Sequence, residues 1–195
     1  LVLSSITPVS YFVATSLAIA LAAVVVIFGV VSGAHFNPAI TFGMWTARRI
    51  GTLKAISYVA AQLLGGLAAW QLYEYLKGSA VDVQGSAFKT EIWLAEAVGT
   101  FVLALGITAA ISRAVDSVQW ALAAGAAYFT GIIIASAAAL SYLSPAVSMG
   151  LRTWNAATVL GPLVGGLIAV NLYYMLFGHP ASLTVRRVVT RKKSR

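Results

Sequence analysis

Long apolar runs separated by short polar breaks dominate this chain. From Val9 to Val31 no residue is charged, and the run is rich in alanine and valine. Four more runs follow, at about Leu53 to Leu76, Glu91 to Ser112, Val118 to Ala139 and Ala156 to Phe177. At ~1.5 Å per residue each can cross a hydrocarbon core of ~30 Å as a helix. Backbone polar groups inside lipid have to be satisfied within the segment, so five such runs predict an all-α membrane protein.

Two stretches break this pattern. The first is Ser32-Gly33-Ala34-His35-Phe36-Asn37-Pro38-Ala39-Ile40-Thr41-Phe42-Gly43, directly after the first run. An altered copy, Ser144-Pro145-Ala146-Val147-Ser148-Met149-Gly150, lies 107 residues later. Asn and Ser are good helix caps, and proline is at home in the first turn, where its missing N–H has no partner to lose. After each cap only about ten residues pass before a basic one, too few to cross a bilayer. The pattern predicts half-helices, from Pro38 to about Ala47 and from Pro145 to about Thr153.

The repetition extends further. Gly65-Gly66-Leu67 and Leu72-Tyr73 match Gly165-Gly166-Leu167 and Leu172-Tyr173 at an offset of 100. Residues 1–177 therefore read as one membrane domain of two repeats, 1–80 and 81–177, with the polar loop Lys77 to Thr90 as the seam. Three full crossings separate the two half-helices, so they enter from opposite faces and meet near the midplane. Small residues four apart, such as Gly161 with Gly165 and Ala61 with Gly65, permit close helix packing.

Composition narrows the class. Only 9% of the 195 residues are charged and the mean hydropathy is +0.89, whereas soluble domains carry roughly a quarter charged residues. The net charge of +8 does not imply nucleic acid, because the basic residues lie between the apolar runs. Their distribution reads as topology. Arg48, Arg49, Lys54 and Arg113 fall on the side of the tail, 178–195, which carries six more; Lys77, Lys89 and Arg152 fall opposite. The tail is therefore expected in the cytoplasm as a solvated end, with contact to anionic lipid as the alternative. With no cysteine there is no disulfide or thiolate metal site, and no cofactor is expected. Two histidines and five acids, without a nucleophile–base spacing or a phosphate loop, point away from an enzyme.

A helix N-terminus carries roughly half a positive charge. Two such ends facing each other would repel a cation at the midplane and let a neutral dipole such as water present its oxygen. Glu96 is the acid well inside a run, and an intramembrane carboxylate invites a functional reading. It is expected to accept backbone amides of the loop Leu140 to Leu143, bracing the second half-helix, with a proton relay as the alternative. Gln62 is expected to brace the first loop in the same way. His35 reads either as a pore-lining or supporting residue or as a pH sensor.

Ser32 to Ala39, Ala95-Glu96-Ala97-Val98-Gly99-Thr100, and Gly161-Pro162 with Gly165-Gly166 together resemble the aquaporin (major intrinsic protein) family, over about residues 10 to 177. The resemblance implies an inverted-repeat helical bundle and a passive channel for water or small uncharged solutes, assembled as a homotetramer in the plasma membrane. Asn37-Pro38-Ala39 and Ser144-Pro145-Ala146 would abut at the pore centre. The carbonyls of Gly33, Ala34, His35 and Phe36, and of Leu140, Ser141, Tyr142 and Leu143, would line the pore. The four positions of the selectivity filter fall on Leu17, Ile132, Ser141 and Val147.

Three departures from the family pattern matter. The family has six full spans and five are visible here; a further helix is expected to precede the first run in the native protein, with a natural five-span pore as the alternative, and Leu1 to Ser10 would then be the tail of that helix or the loop after it. Ser144 replaces an asparagine and is expected to keep the cap with a shorter donor. Val147 replaces the usual filter arginine, leaving an apolar filter that Arg152 does not complete. In addition to these three, Leu140 and Tyr142 are bulky for their loop, and Tyr142 is placed to narrow the mouth. The competing readings are a closed or structural protein of the same fold and an ion-leaky channel.

Overall fold

Five helices in the computed structural model, which describes residues 11–80 and 87–178, are long and apolar enough to cross a membrane. They are α1 (Tyr11–Ser32), α3 (Thr52–Lys77), α4 (Thr90–Ser112), α5 (Ser117–Ala135) and α7 (Ala156–Phe177). Two short helices, α2 (Pro38–Thr46) and α6 (Pro145–Gly150), start at the predicted prolines. No strand occurs among the described residues. Leu1 to Ser10, part of the seam loop (81–86) and the basic tail beyond Gly178 lie outside the described residues.

Two boundaries differ from the hydropathy pattern, and at both the chain turns back on the last carbonyls of the helix. The fourth run was expected to continue to Ala139, but α5 stops at Ala135. There Ser136 Oγ donates to the Ile133 carbonyl (2.8 Å) and Ser141 Oγ to that of Ile132 (3.0 Å). The second half-helix ends at Gly150 rather than near Thr153. Thr153 turns back on the Ser148 carbonyl through both its amide (3.0 Å) and its hydroxyl (3.2 Å).

The inverted repeat is visible in the packing. α2 lies against α7 as α6 lies against α3, each half-helix also touches the span that follows it, and α1 pairs with α5. Glycine makes the matching close approaches. A methyl built on Gly43 of α2 would sit 2.6 Å from the Gly166 carbonyl oxygen of α7, and one on Gly150 of α6 would sit 2.9 Å from that of Gly66 in α3. These residues occupy matching places in the two motifs and the two spans.

One element has no mate. α4 packs along both α5 and α7, but among the described residues nothing packs equivalently on α1 and α3. α3 accordingly buries only Ala55, and α1 leaves Phe12, Ile27 and Val31 outward. In water such surfaces would aggregate; in a bilayer they are solvated by lipid.

Sidedness follows from two cation–π contacts. The Arg49 guanidinium lies 3.7 Å above the Tyr174 ring near the C-terminal end of α7, so the loop after α2 shares a face with the end of α7. Arg152, after α6, lies 4.5 Å over Trp70 and 3.9 Å from the Glu74 carboxylate, near the opposite end of the bundle.

Candidate pore

The two half-helices meet through the loops that precede them. Ala34 (φ 51°) and Phe36 (φ 44°) in the first loop, and Ser141 (φ 61°) and Leu143 (φ 53°) in the second, hold left-handed backbone. These are matching positions at the offset of 107. Such conformations cost of order 1–3 kcal/mol each in residues other than glycine, and persist only where their surroundings dictate them.

The second loop is dictated by Glu96. Its side chain is fully buried and accepts from the Tyr142 amide (2.9 Å) and the Leu143 amide (2.7 Å), one on each carboxylate oxygen. No equivalent acceptor for the His35 and Phe36 amides lies among the described residues. Gln62 braces differently from the backbone contact expected of it. Its Nε2 donates to Thr41 Oγ1 (3.0 Å) inside α2, and Thr41 Oγ1 lies 3.2 Å from His35 Nδ1. Thr41 Oγ1 also lies 3.4 Å from Gln62 Oε1, so the direction of the Thr41–His35 contact is set by the His35 tautomer. The His35 ring also stands edge-on to Tyr58, with centroids 5.5 Å apart.

Asn37 joins the two repeats. Its Oδ1 caps α2 by accepting from the Ala39 amide (2.9 Å), while Nδ2 donates to the Leu143 carbonyl (2.7 Å) in the opposite loop. Ser144 does not do the same. It was expected to keep the cap, and its backbone (φ −158°, ψ 129°) nearly repeats that of Asn37 (φ −150°, ψ 124°). Its hydroxyl, one bond shorter than a carboxamide, nevertheless meets no helix amide and is buried without a partner among the described residues. The second half-helix is anchored one turn later instead, where Ser148 Oγ lies 2.8 Å from Thr158 Oγ1 of α7.

A cavity of about 270 Å³ adjoins this junction. Its wall is Leu17, Ala20, Leu21 and Val24 of α1, Ile40 of α2, Leu103 and Ile107 of α4, and Tyr128 of α5. His35, Phe36, Asn37, Ser144 and Val147 complete it from the loops and half-helices. The lining is thus apolar, carries no formal charge with His35 neutral, and places polar groups at the meeting of the half-helices. The helix contributions recur at i, i+3 and i+4, as one face of each helix requires. That spacing was available in the sequence around Leu17, but α1 is so uniformly apolar that no face stood out.

Of the four positions expected to form a filter, Leu17 and Val147 line the cavity and are 40% and 36% exposed. Ile132 (1%) and Ser141 (4%) are buried and tied to each other, the Ser141 hydroxyl donating to the Ile132 carbonyl. Leu143 and Tyr142 are buried too, the Tyr142 ring beside Thr153, whereas Leu140 is exposed; none of the three lines the cavity. The contrast is testable. Val147→Phe is expected to lower osmotic permeability at least severalfold while the folded yield is kept. Ile132→Phe is expected instead to lower the yield and the melting temperature, since overpacking a filled site costs about 1–3 kcal/mol. Equal loss of permeability at equal yield in both variants would refute this division.

On the side of α3 the cavity has neighbours. A space of about 700 Å³ shares Leu17, Phe36 and Val147 with it and runs along Trp70 and Tyr73 of α3 and Gly150 and Leu151 after the junction. Another, of about 350 Å³, lies behind His35 and Phe36 against Tyr58, Ala61 and Gln62. Both occupy the gap between α1 and α3 that has no described helix.

Comparison with known proteins agrees with this geometry. The family model described as major intrinsic protein matches residues 4–174. Aquaporin Z of Photorhabdus laumondii is 30% identical over 192 residues, an alignment covering 85% of this chain and 83% of that protein. Aquaporin-2 of Bos taurus is 30% identical, covering 91% of this chain and 71% of the relative. Aquaporin TIP4-1 of Zea mays is 33% identical over 87% and 72% of the two chains. The two half-helices that start at proline, their glycine contacts and these matches lead to one conclusion: the chain belongs to the major intrinsic protein family.

Proposed function

We propose that this integral membrane protein is a passive pore for water and small uncharged solutes. One observation carries the reading: an apolar cavity of about 270 Å³ whose polar groups are concentrated where two half-helix N-termini meet. Selectivity in such a pore rests on its diameter, its lining donors and its electrostatic barriers. Asn37 supplies a donor, since one of its two amide hydrogens goes to Leu143 and the other remains. Leu17 and Val147 supply an apolar constriction that favours weakly polar solutes alongside water. Val147 stands where the family resemblance places an arginine, and Arg152 does not replace it, being engaged with Glu74 and Trp70.

In this reading the protein sits in the plasma membrane as a homotetramer, with the basic tail in the cytoplasm. The orientation is supported by Arg48, Arg49, Lys54 and Arg113 on the tail side and by the Arg49–Tyr174 contact. The test is stopped-flow light scattering of proteoliposomes challenged with an impermeant osmolyte. Shrinkage much faster than that of empty vesicles, with a low activation energy, is the expected result. Shrinkage no faster, with folded protein confirmed in the vesicles, would overturn the reading in favour of a closed, structural role.

A further inference from the structure

We infer that Arg48 and Arg49, in the turn after α2, bind the phosphate of an anionic phospholipid headgroup. The two repeats treat differently the arginines that close their half-helices. Each half-helix ends on an arginine in left-handed backbone, Arg48 (φ 57°) after α2 and Arg152 (φ 55°) after α6. Helices usually give this place to glycine, because a side chain there is strained. Arg152 is matched within the chain, 3.9 Å from the Glu74 carboxylate and 4.5 Å over Trp70. At the offset of 100 the place of Glu74 falls to Tyr174. Tyr174 holds the Arg49 guanidinium 3.7 Å above its ring and supplies no negative charge to neutralise it.

Among the described residues no carboxylate pairs with Arg48 or Arg49. α4 runs parallel to α7, because Gly161 meets Trp93 while Gly165 meets Ala97 and Phe101, so the loop after α4 lies at this end too. That loop adds Arg113 and holds Asp116, the one acid of the chain's five in a loop at this end. Its carboxylate is occupied in capping α5, accepting from the Val118 (2.9 Å) and Gln119 (3.0 Å) amides. Lys54, in the first turn of α3, adds a further positive charge 5.1 Å over the Tyr58 ring. The Arg49 Nε is enclosed without a partner, but its two Nη nitrogens are not enclosed. The outer edge of the guanidinium can therefore present two parallel N–H donors, the geometry that a phosphate accepts.

The depth of these residues selects a lipid over a dissolved anion. α2 has nine residues, and at ~1.5 Å each it rises about 14 Å from the junction of the half-helices at Asn37. Half of a ~30 Å hydrocarbon core is about 15 Å, so a helix that starts at the midplane delivers Arg48 and Arg49 to the headgroup layer. Trp45, just before them, is 38% exposed and its indole nitrogen donates to Thr52 Oγ1 (3.1 Å), as suits an aromatic residue at a membrane interface. Basic groups clustered at this depth fit an anionic headgroup. Binding here requires the half-helices to meet at the midplane, and it does not depend on whether the pore conducts.

The test is a thermal melt of the full chain in uncharged detergent, titrated with phosphatidylglycerol, with phosphatidylcholine or with inorganic phosphate. A saturable rise in melting temperature with phosphatidylglycerol alone is expected. Arg49→Gln is expected to raise the half-saturating lipid concentration about tenfold, the scale of one charge-assisted hydrogen bond. Arg49→Lys is expected to raise it nearly as far, because lysine keeps the charge but not the paired donors. Arg48→Gly separates binding from folding. Glycine relieves the left-handed backbone, so the melting temperature without lipid is expected to hold or rise while the half-saturating concentration rises severalfold. Lys89→Gln, at the start of α4 and the opposite end of the bundle, is expected to change neither. No rise with phosphatidylglycerol, or an equal rise with phosphatidylcholine, would overturn the inference. An equal rise with inorganic phosphate would make this a site for dissolved anions and overturn the lipid. Half-saturation unchanged in both Arg49→Gln and Arg48→Gly would assign the lipid to another surface, such as the basic tail, and overturn the site.

Discussion

Gly165→Leu is expected to abolish folded, membrane-inserted protein, while Gly65→Leu is expected to leave the yield and melting temperature of this chain close to the original. The two glycines are matched by the offset of 100, and their surroundings are opposite. A methyl built at Gly165 of α7 would collide with the Ala97 carbonyl oxygen of α4 and come within 3.0 Å of the Ala97 carbonyl carbon and the Phe101 nitrogen. These are backbone atoms of a helix and cannot turn aside as a side chain does. One turn earlier Gly161 is also close to α4, its methyl 2.7 Å from the Trp93 carbonyl oxygen. Overpacking against yielding side chains already costs about 1–3 kcal/mol; here two helices would have to separate. At Gly65 of α3 a methyl meets nothing within 4 Å. Detergent-solubilised yield by size-exclusion chromatography and a thermal melt measure both variants. Equal damage from Gly65→Leu would show that, in the membrane, another helix fills the gap beside α3.

That asymmetry marks the limit of what the sequence discloses. The half-helices were legible because Asn37-Pro38 and Ser144-Pro145 combine a cap residue with a proline after a membrane-length run, and no long span explains that combination. The repeat was legible because close backbone approach tolerates only glycine, and Gly43, Gly66, Gly150 and Gly166 fall at matching places. Ser144 shows where residue type stops informing. Serine is a good cap by propensity, yet whether its hydroxyl meets an amide depends on a side-chain direction that no pattern encodes. Ile132 and Ser141 show the same for the pore. The resemblance placed them in the filter by counting back from the second motif; in the structure the Ser141 hydroxyl donates to the Ile132 carbonyl and both residues are buried outside the cavity lining. The lining role of Val147 needed no such loop geometry, since it is fixed by its place two residues after Pro145 at the start of α6. Gln62 braces α2 through Thr41 rather than a loop amide, because its side chain reaches the half-helix from the following span.

Glu96→Ala is expected to be the most damaging change to the pore outside the helix contacts, and Glu96→Gln is expected to lie between it and the original. Both oxygens of Glu96 accept, at 2.9 Å from the Tyr142 amide and 2.7 Å from the Leu143 amide, which leaves no place for a donor. Glutamine keeps one acceptor but turns an NH₂ towards the second amide, so one hydrogen bond becomes a donor–donor contact. Hydrogen bonds to charged groups are worth about 1.5–3 kcal/mol, and a buried group left without a partner costs about 1–3 kcal/mol. A loss of about 2 kcal/mol in Glu96→Gln would lower the melting temperature of a chain of this size by roughly 4–8 °C. Glu96→Ala loses both bonds and opens a cavity in a fully buried site, so roughly twice that loss is expected. The consequence for the pore exceeds that for stability. The Leu143 carbonyl that receives Asn37 Nδ2 belongs to the residue whose amide Glu96 holds, and Ser141 and Leu143 keep their left-handed backbone in that grip. Once released, the loop relaxes towards ordinary backbone angles and Asn37 loses its fixed orientation at the junction. Osmotic permeability per folded molecule should therefore fall at least tenfold in Glu96→Ala, the scale of one lost orienting hydrogen bond. Stopped-flow shrinkage normalised to reconstituted, monodisperse protein measures it. Permeability per molecule unchanged in Glu96→Ala would show that the loop holds its shape without the carboxylate.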